Sequence, residues 1–599
     1  MGRIKGKLKS FLKRYPKLYA SAKIILARFN AVRLFIKYGA RTEYRCKVSK
    51  KRRREETAFV FDKDIKFSVL VPLYNTPKKF LKEMIQSVQY QTYGNWELCL
   101  ADGSEHDFVE KYCLQAAETD SRIKYKKLTE NKGISENTNE CIKMASGDYI
   151  ALFDHDDVLH PSALFECMKA ICNKDADYVY TDEATFLGNS KSTILSFHFK
   201  PDFAYDNLLA NNYICHFSVF KASLIDKVGM FRPKYDGSQD HDIILRLTDA
   251  AKNVVHIPKL LYFWRSHANS VAMDINSKTY AIEAGKSAVH DFLESKGIDA
   301  VVESSPAFPT IYRITYKIEG EPKVSIIIPN KDNCKALKAC IDSILTKTTY
   351  KNYEVIIIDN QSSQSEILDY YQQLKQNSNI KIYSYDKSFN YSAINNYAAT
   401  KADGDYLLLL NNDTEVITED WIQEMLMFAQ REDVGAVGAK LLYPNKTVQH
   451  GGIILGLGKK GIADCAHRGI EDGVVGYMGK LYYAQNVTAV TAACLMVKKA
   501  DYYAVGGFDE KLTVLYNDVD FCLKLRKNGL VNIFNSFSVL YHYESLSLNS
   551  NTYINDQKCF NEEISYFKDK WKDELEKGDP YYNPNFSSKS SYLFNFGKR

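Results

Sequence analysis

An acidic cluster follows a short apolar run in the first half of the chain. Residues 149–153 are long enough for one buried strand, and Asp154, Asp156 and Asp157 come directly after it. Carboxylates at the carboxyl end of a buried strand lie where open α/β sheets bind their ligands. Hard divalent cations prefer such oxygen ligands. The pattern therefore favours a metal site, although an acidic loop that caps the helix expected after Pro161 would look the same.

The same pattern recurs 257 residues later. The strand-like runs that end at Pro72 and Pro329 keep this offset, and so does the acidic cluster, in which Asp413 stands at the place of Asp156. A gapless offset over roughly ninety residues indicates a tandem duplication of one domain.

Strand-like runs alternate with amphipathic helical runs in each copy. This alternation predicts an α/β fold with a mostly parallel, Rossmann-like sheet and helices on both faces. Neither GxGxxG nor GxxxxGK[ST] follows the first strand of either copy, which argues against a dinucleotide oxidoreductase and a P-loop enzyme. We expect two such domains, at 61–315 and 316–555, between an N-terminal segment (1–60) and a C-terminal helical and irregular tail (556–599).

The composition bounds the class of protein. The hydrophobic content of 45% and the charged content of 25% are ordinary for a globular protein. Thirteen cysteines are scattered without CxxC pairs, which predicts free thiols in a reducing compartment rather than a disulfide framework or a zinc site. No apolar run is long enough for a membrane span, and no secretory signal is predicted.

The N-terminal segment is strongly basic. Residues 1–54 carry 19 Lys and Arg against one acid, Glu43, and their apolar side chains recur with helical spacing. This predicts an amphipathic segment on an anionic membrane surface, and hence a cytoplasmic protein that is peripheral on the inner face of the cell membrane. A solvated arm or a helix packed on the globular body is the alternative. Nucleic acid is not expected as a partner, because the remaining chain is acidic and offers no second basic surface.

Several short motifs follow one another in each copy. The first copy has Val-Pro-x-Tyr-Asn (71–75), Asp102-Gly-Ser, Asn-x-Gly-Ile-x-x-Asn-x-Asn (131–139), Phe-Asp-x-Asp-Asp (153–157) and Gly-Ser-Gln-Asp-x-Asp (237–242). The second has Ile-Pro (328–329), Asp359-Asn, Phe-Asn-Tyr-Ser-x-x-Asn-Asn (389–396), Asn-Asn-Asp-Thr-Glu-Val (411–416) and Asn-Asp-Val-Asp (517–520). Their order, over about 67–315 and 322–550, resembles glycosyltransferase family 2 and its rhamnosyltransferase-like branch of polysaccharide biosynthesis.

The resemblance implies two GT-A domains, a divalent metal (Mn²⁺ or Mg²⁺), a UDP-sugar or dTDP-sugar donor and inversion at the anomeric carbon. The matching metal ligands are Asp154, Asp156, His267, Asp413 and His542; for His267 a structural role is the alternative. The matching catalytic bases are Asp240 and Asp518, for which a helix cap is the alternative. The matching donor-binding residues are Pro72, Tyr74, Asn75, Asp102, Asn131, Gly133, Asn139, Asp157, Pro329, Asp359, Asn390, Asn396 and Asn411.

The second copy departs from the acidic pattern. Asn411 and Asn412 leave Asp413 as the single carboxylate of its cluster, so this metal site would carry less charge. We expect a bifunctional inverting glycosyltransferase that extends a cell-surface polysaccharide or a lipid-linked glycan. The alternatives are a single-activity enzyme whose second domain only binds glycan or nucleotide, and a scaffold that only binds. The polar run 449–452 either reaches the sugar or turns the chain.

Overall fold

The structure, a computed structural model, describes residues 45–188, 193–266, 279–544 and 557–594. These residues form two compact units. One contains the chain up to residue 200 together with 213–292, and the other contains 201–212 together with the chain from 293 onward. No helix of the described ranges is both long and apolar enough to cross a membrane.

The first unit is built on a nine-stranded sheet of order β3-β2-β1-β4-β8-β6-β9-β5, with β7 beside β6. Strands β1 to β4 are parallel, whereas β8 returns antiparallel between β4 and β6. The strands are β1 Phe67–Leu73, β2 Trp96–Asp102, β3 Ile123–Lys127, β4 Tyr149–Leu152, β5 Val158–Leu159, β6 Tyr178–Leu187, β7 Ile194–His198, β8 Ser218–Lys221 and β9 Val254–Ser266.

Amphipathic helices cover this sheet, and their apolar stripes join the buried strands in one core. The helices up to the end of the first unit are, in chain order, α1 Lys50–Ala58, α2 Lys78–Gln89, α3 Asp107–Thr119, α4 Ile134–Met144, α5 Ala163–Lys174, α6 Tyr205–Ala210, α7 Ser223–Val228, α8 Gln239–Ala250 and α9 Thr279–Ser295. Of these, α6 lies in the segment that belongs to the second unit.

The second unit repeats the design with a ten-stranded sheet of order β14-β13-β12-β15-β22-β17-β23-β16, in which β18 pairs with β17 and β21 pairs with β23. Two hairpins, β10-β11 and β19-β20, stand outside it. The strands are β10 Ala300–Ser304, β11 Tyr312–Tyr316, β12 Val324–Asn330, β13 Tyr353–Asp359, β14 Ile380–Ser384, β15 Tyr406–Leu410, β16 Thr414–Val416, β17 Val434–Leu442, β18 Val448–His450, β19 Ile453–Leu455, β20 Ala463–Cys465, β21 Gln485–Val487, β22 Cys494–Lys498 and β23 Val531–His542.

The helices of the second unit include two in the C-terminal tail. They are α10 Cys334–Lys347, α11 Ser365–Leu374, α12 Tyr391–Ala399, α13 Trp421–Ala429, α14 Lys499–Ala504, α15 Asn517–Lys527, α16 Gln557–Lys570 and α17 Lys572–Lys577. The tail packs within this unit, because the indole Nε1 of Trp571 donates to the buried carboxylate of Asp520 at 2.8 Å.

The two sheets keep the sequence offset of 257 in their register. Leu73 pairs with Asp102 in the first sheet, and Asn330 pairs with Asp359 in the second. The predicted duplication and the predicted α/β class are therefore confirmed. Because β1, β2 and β4 are parallel, as are β12, β13 and β15, the carboxyl ends of these strands meet at one edge of each sheet.

A charged network ties the opposite, amino edge of the first sheet. The carboxylate of Glu97 accepts from Ser68 Oγ at 2.7 Å and pairs with Lys66 and Lys124 at 2.5 and 2.9 Å. Gly147 donates its N–H to Ser68 Oγ at 2.8 Å, and a side chain at Gly147 would collide with that serine. The second sheet has the same network at the same offset, formed by Glu354, Ser325, Lys323, Lys381 and Gly404.

Only the end of the basic N-terminal segment lies within the described residues. Helix α1 is capped by Ser49, and Arg52 pairs with Glu56 and with Glu166 of α5. The basic run at 50–54 is thus partly a helix packed on the first unit. The amphipathic stretch that motivated the membrane prediction falls in residues 1–44, outside the described ranges.

Candidate active sites

The predicted site residues of the first unit gather at the carboxyl edge of its sheet. Pro72 is the penultimate residue of β1, and Tyr74 and Asn75 follow the end of that strand. Asp102 ends β2, and Asp154 lies two residues after the buried strand β4. The side chain of Tyr74 is exposed, whereas Asp102 is fully buried. This edge is the place where α/β sheets bind ligands.

Asp154 is a partly exposed acid of the first cluster and faces an imidazole. Its side chain is 40% exposed, and its Oδ2 lies 3.5 Å from Nε2 of His216. Enclosure in the site and the nearby carboxylates of Asp156 and Asp240 raise the pKa of Asp154, whereas His216 and His155 act in the opposite direction. The three acids therefore share one electrostatic environment, as a cation site requires.

Asp157 has a different role from the one expected. Its carboxylate is fully buried and accepts hydrogen bonds from Tyr262 Oη and from the main-chain N–H of Arg265, both at 2.6 Å. Burial and the nearby Asp156 and Asp154 raise its pKa well above the usual range, against the effect of these two hydrogen bonds. Asp157 anchors β9 beneath the cluster, so the donor-binding role suggested for it has no accessible surface to act through.

Arg265 positions the cluster and was missed in the sequence. Its guanidinium is fully buried between the rings of Phe80 and Phe186, at 4.2 and 4.7 Å from their centroids. Nε donates to the carbonyl of Asp156 at 2.5 Å, and Nη2 pairs with Glu83 at 2.7 Å. Nothing in the local sequence marks this arginine, because its partners come from distant helices and strands.

Asp240 stands in the first turn of α8, half-buried, where its Oδ1 accepts from the N–H of His241 at 2.9 Å. The preceding Gly237 has φ +98°, and a side chain there would collide with Tyr280 and Ala281 of α9. The Gly-Ser-Gln-Asp motif thus turns the chain tightly and delivers Asp240 to the edge that carries Asp154.

The polar motif 131–139, which runs from the loop after β3 into α4, mainly holds the loop before α8. Asn139 donates to the carbonyl of Phe231 at 3.0 Å and accepts from the N–H of the same residue at 2.9 Å. Gly133, at φ +96°, leaves room for Asp236, and Asn131 Oδ1 accepts from that glycine's N–H at 3.3 Å. Asn139, Gly133 and Asn131 therefore position the loop before α8. The donor contacts predicted for them remain predictions.

Asp102 and Asn75 are likewise engaged by their neighbours. Tyr125 Oη donates to Asp102 at 2.8 Å, and Lys127 pairs with it at 3.4 Å. Asn75, which has φ +48°, accepts from the N–H of Glu105 at 3.1 Å. The donor contacts predicted for these two residues remain predictions.

The second unit places Asp413 directly against a histidine. Asp413 Oδ1 lies 3.1 Å from Nε2 of His542, and the exposed fractions of these side chains are only 4% and 10%. The other ring nitrogen, Nδ1, lies 2.7 Å from Oε1 of Gln449, whose Nε2 donates to Glu544 at 3.1 Å. Glu544 fixes the orientation of the Gln449 amide, so Nδ1 carries the proton and Nε2 presents its lone pair toward Asp413.

Tyr391 links this pair to the predicted base. Its hydroxyl lies 3.1 Å from Asn411 Oδ1 and 3.2 Å from the carbonyl of Ala492. The N–H of Ala492 in turn donates to Asp518 at 3.3 Å. Burial raises the pKa of Asp518, and its main-chain hydrogen bonds oppose this shift.

The remaining residues predicted for the second donor site have clear local partners. Asn390 caps α12 by accepting from Ala393 N–H at 3.0 Å, and Asn396 exchanges two hydrogen bonds with the main chain of Phe508. At the end of β13, Asp359 accepts from Tyr371 Oη at 3.0 Å. Pro329 precedes the last residue of β12, as Pro72 does in β1.

The two histidines predicted as late ligands are not equivalent. In the antiparallel pair β16-β23, His542 stands opposite Thr414, and Tyr541 stands opposite Glu415. The counterpart of Glu415 at the offset of 257 is Val158, which pairs with Phe263 in β9. By register the residue equivalent to His542 is therefore Trp264, and not His267, which lies outside the described residues.

Comparison with known proteins identifies the family of the chain. The family model described as glycosyl transferase family 2 matches residues 68–229 and 325–463, about half of the chain. The chain belongs to glycosyl transferase family 2. Each of its two α/β units is accordingly a GT-A domain, as the motif order implied.

Two curated relatives of this family 2 protein match over most of its length. An uncharacterized protein of Sinorhizobium fredii is 40% identical over 527 residues, which cover 87% of this chain and 57% of the relative. The O-antigen biosynthesis protein RfbC of Myxococcus xanthus is 34% identical over 523 residues, which cover 87% of this chain and 40% of the relative. The chain thus spans about half the length of these relatives.

Solved structures are more distant from this family 2 protein. The crystal structure of S. aureus TarS 1–349 in complex with UDP-GlcNAc has 17% sequence identity and a TM-score of 0.33, and the match covers 38% of this chain and 67% of that one.

The donor atoms of both family 2 sites suit a divalent cation. Adjacent ligand atoms on one such ion lie about 3 to 3.5 Å apart, and the carboxylate–imidazole pairs Asp154–His216 and Asp413–His542 measure 3.5 and 3.1 Å. In the second pair, Nε2 of His542 also lies 3.3 Å from the amide Nδ2 of Asn411.

Within the described ranges, three ligand atoms converge within 4.8 Å only at His290, Asp291 and Glu294. This group lies on one turn of α9, where Asp291 already pairs with Lys234. At the two candidate sites the described residues do not bring three such ligand atoms within that distance.

Proposed function

We propose that the chain is a bifunctional, metal-dependent, inverting glycosyltransferase. It would transfer sugars from UDP-sugar or dTDP-sugar donors to a growing cell-surface polysaccharide or a lipid-linked glycan. The observation that carries the proposal is the repeated placement of a strand-end carboxylate beside an imidazole, together with a helix-borne carboxylate at the same sheet edge. The sets are Asp154, His216 and Asp240 in the first unit, and Asp413, His542 and Asp518 in the second.

Asp240 and Asp518 are suited to act as the catalytic bases. An inverting transfer needs one base that takes the proton of the acceptor hydroxyl while this oxygen attacks in line with the breaking bond. Both acids stand in the first turn of a helix. Main-chain N–H groups of Ala492 and Val519 hold the two carboxylate oxygens of Asp518 in a fixed orientation. The raised pKa of Asp518 makes it a stronger base than an exposed aspartate.

The strand-end groups are suited to hold Mn²⁺ or Mg²⁺. A divalent cation bound there would neutralise the diphosphate as it leaves. Asp154 and Asp156 would hold it in the first unit, and Asp413 with His542 in the second. Asn411 stands at the place of Asp154, so the second site has less negative charge and we expect it to bind the cation more weakly.

The acceptor assignment is supported by the O-antigen biosynthesis relative, whose name refers to a surface polysaccharide. For such a substrate we propose that the protein works on the cytoplasmic side, peripheral on the inner face of the cell membrane, through the basic residues 1–54. Deleting these residues should release the protein from sedimenting anionic vesicles. Unchanged sedimentation would refute the membrane proposal.

A single-activity enzyme is the second candidate. Asn411 and Thr414 stand where the first cluster has Asp154 and Asp157, so the second unit would then bind a glycan or nucleotide without transfer. The intact Asp413–His542 pair and the oriented Asp518 favour activity instead.

Two single substitutions separate these candidates. Asp156→Asn and Asp413→Asn are assayed for release of nucleoside diphosphate with a panel of UDP-sugars and dTDP-sugars, and Asp107→Asn, at an exposed position, serves as the control. Loss of a different donor activity in each variant supports two transferases. Insensitivity to Asp413→Asn, with Asp156→Asn inactive, supports the single-activity enzyme.

Two further readouts test the mechanism. Absence of metal-dependent turnover with every donor would contradict both candidates, and retention of the donor's anomeric configuration in the product, read by NMR, would contradict inversion.

A further inference from the structure

The two units draw their histidine from different strands. In the second unit His542 belongs to β23, and its register equivalent in the first unit is Trp264 of β9. Tryptophan has no lone pair to offer a cation, so β9 cannot supply the imidazole that β23 supplies.

His216 reaches the first cluster from a strand nearer to β4 than β9 is. It precedes β8, and Ile150 of β4 pairs with Phe220 of that strand. In the second unit Leu407, the counterpart of Ile150, pairs with Val497 of β22. Counting back four residues from each partner places Ala493 at the position of His216. The imidazole beside Asp154 thus comes from the segment before β8, the strand next to β4, whereas the imidazole beside Asp413 comes from β23, which pairs with β16 and β17.

Buried groups hold the His216 ring in place. The ring stacks on Tyr262 with centroids 4.6 Å apart and planes 17° apart, and Tyr262 is itself bonded to Asp157. The carbonyl of His216 accepts from the Nζ of Lys200, which is fully buried and pairs with Glu183 at 3.2 Å. A histidine on a surface loop would have no such support, and the rigidity is what an ion ligand needs.

We propose that His216 is the imidazole ligand of the divalent cation in the first unit, where it does for Asp154 what His542 does for Asp413. This inference rests on the proposed metal-dependent transfer. The 3.5 Å between Nε2 and Oδ2 lies within the span of neighbouring ligands on one ion, and the 18% exposure of the His216 side chain leaves the ring reachable from the site.

The test uses Mn²⁺ itself as the probe. The full chain carrying Asp413→Asn and His542→Ala, which disable the second site, is titrated with Mn²⁺, and the bound ion is measured by pulsed electron paramagnetic resonance. Coupling to an imidazole nitrogen is expected in this background. Adding His216→Ala or His216→Gln should remove the coupling and weaken Mn²⁺ binding at least tenfold, while circular dichroism stays unchanged. His290→Ala, which alters the surface group on α9, should change neither quantity.

The outcomes distinguish a failure of the His216 assignment from a failure of the proposed metal-dependent transfer. If Mn²⁺ binds with the same nitrogen coupling after His216 is removed, or binds without any nitrogen coupling, the assignment of His216 is wrong and the metal-dependent transfer stands. If the background protein binds no Mn²⁺ at all, the metal dependence proposed for the first unit is wrong, and the inference fails with it.

Discussion

Glu563 and Leu515 are joined by a hydrogen bond of 2.8 Å, from the main-chain N–H of Leu515 to the carboxylate of Glu563. The N–H groups of Thr513 and Val514 donate to the same carboxylate at 3.0 and 3.4 Å. A single buried side chain of α16 therefore holds three successive residues of the loop that leads into Asp518. The C-terminal tail is in this way part of the second candidate site.

Replacing Glu563 by alanine should lower kcat of the second transfer about 10- to 100-fold, because small displacements of a catalytic group have effects of this size. The first transfer should keep its rate. Steady-state kinetics with the donor of each site measures both. Glu562→Ala, at the exposed neighbouring position, is the matched control. Equal losses at both sites would show a general folding defect instead of local positioning.

Asn139 and Asn396 hold equivalent loops in the two units, and we expect their substitutions to have equivalent effects. Asn139 holds Phe231, and Asn396 holds Phe508, each through a donor and an acceptor. Asn139→Ala leaves a main-chain pair unsatisfied, which costs about 1 to 3 kcal/mol of folding free energy. We expect each alanine variant to reduce the transfer of its own unit and to spare the other. Donor-specific kinetics of both variants tests this, and crossed effects would contradict it.

Gln449 should control the affinity of the second site for its cation. Its Oε1 orients the imidazole of His542, and loss of such a support lowers metal affinity about 10- to 100-fold. Mn²⁺ titration of Gln449→Leu, in a chain whose first site carries Asp156→Asn, measures the change. Gln372→Leu, an exposed residue of α11, is the control. Unchanged affinity would mean that His542 does not bind the ion.

The amino-edge networks predict an acid-sensitive contribution to stability. Burial opposes ionisation of Glu97, but hydrogen bonds from Lys66, Lys124, Ser146 and Ser68 lower its pKa to about 2, from 4.5. A depressed folded-state pKa gives stability that is complete above the unfolded pKa and is lost as the pH falls through the folded one.

Glu97→Gln should therefore lower the free energy of unfolding by about 2 to 3 kcal/mol at pH 7. This difference should shrink between pH 4.5 and pH 2. Urea unfolding at several pH values measures it, with Glu105→Gln at an exposed position as the control. Glu354, whose pKa is also lowered to about 2, should behave in the same way. A deficit that is independent of pH would contradict the linkage.

Much of the fold was predictable because its signals are local. Strand-like runs, helical periodicity and the offset of 257 depend on neighbouring residues, and they predicted two α/β domains with Asp156 and Asp413 after equivalent strands. The site was predictable to the same extent: the acids that follow parallel strands meet at one edge because parallel strands share their direction. The equivalence drawn between His267 and His542 was wrong because register across an antiparallel pair depends on the returning strand.

The sequence by itself determined the duplication, the family resemblance and the acids at the strand ends. Each of these can be recognised from short runs of neighbouring residues and from their order along the chain. The tertiary structure decided what each side chain does. Asp157 is buried because β9 covers it, Arg265 supports Asp156 from a strand 109 positions away, and His216 reaches Asp154 because β8 returns beside β4. The physical reason is that these roles depend on burial and on contacts between strands far apart in the chain, which spacing along the sequence does not encode.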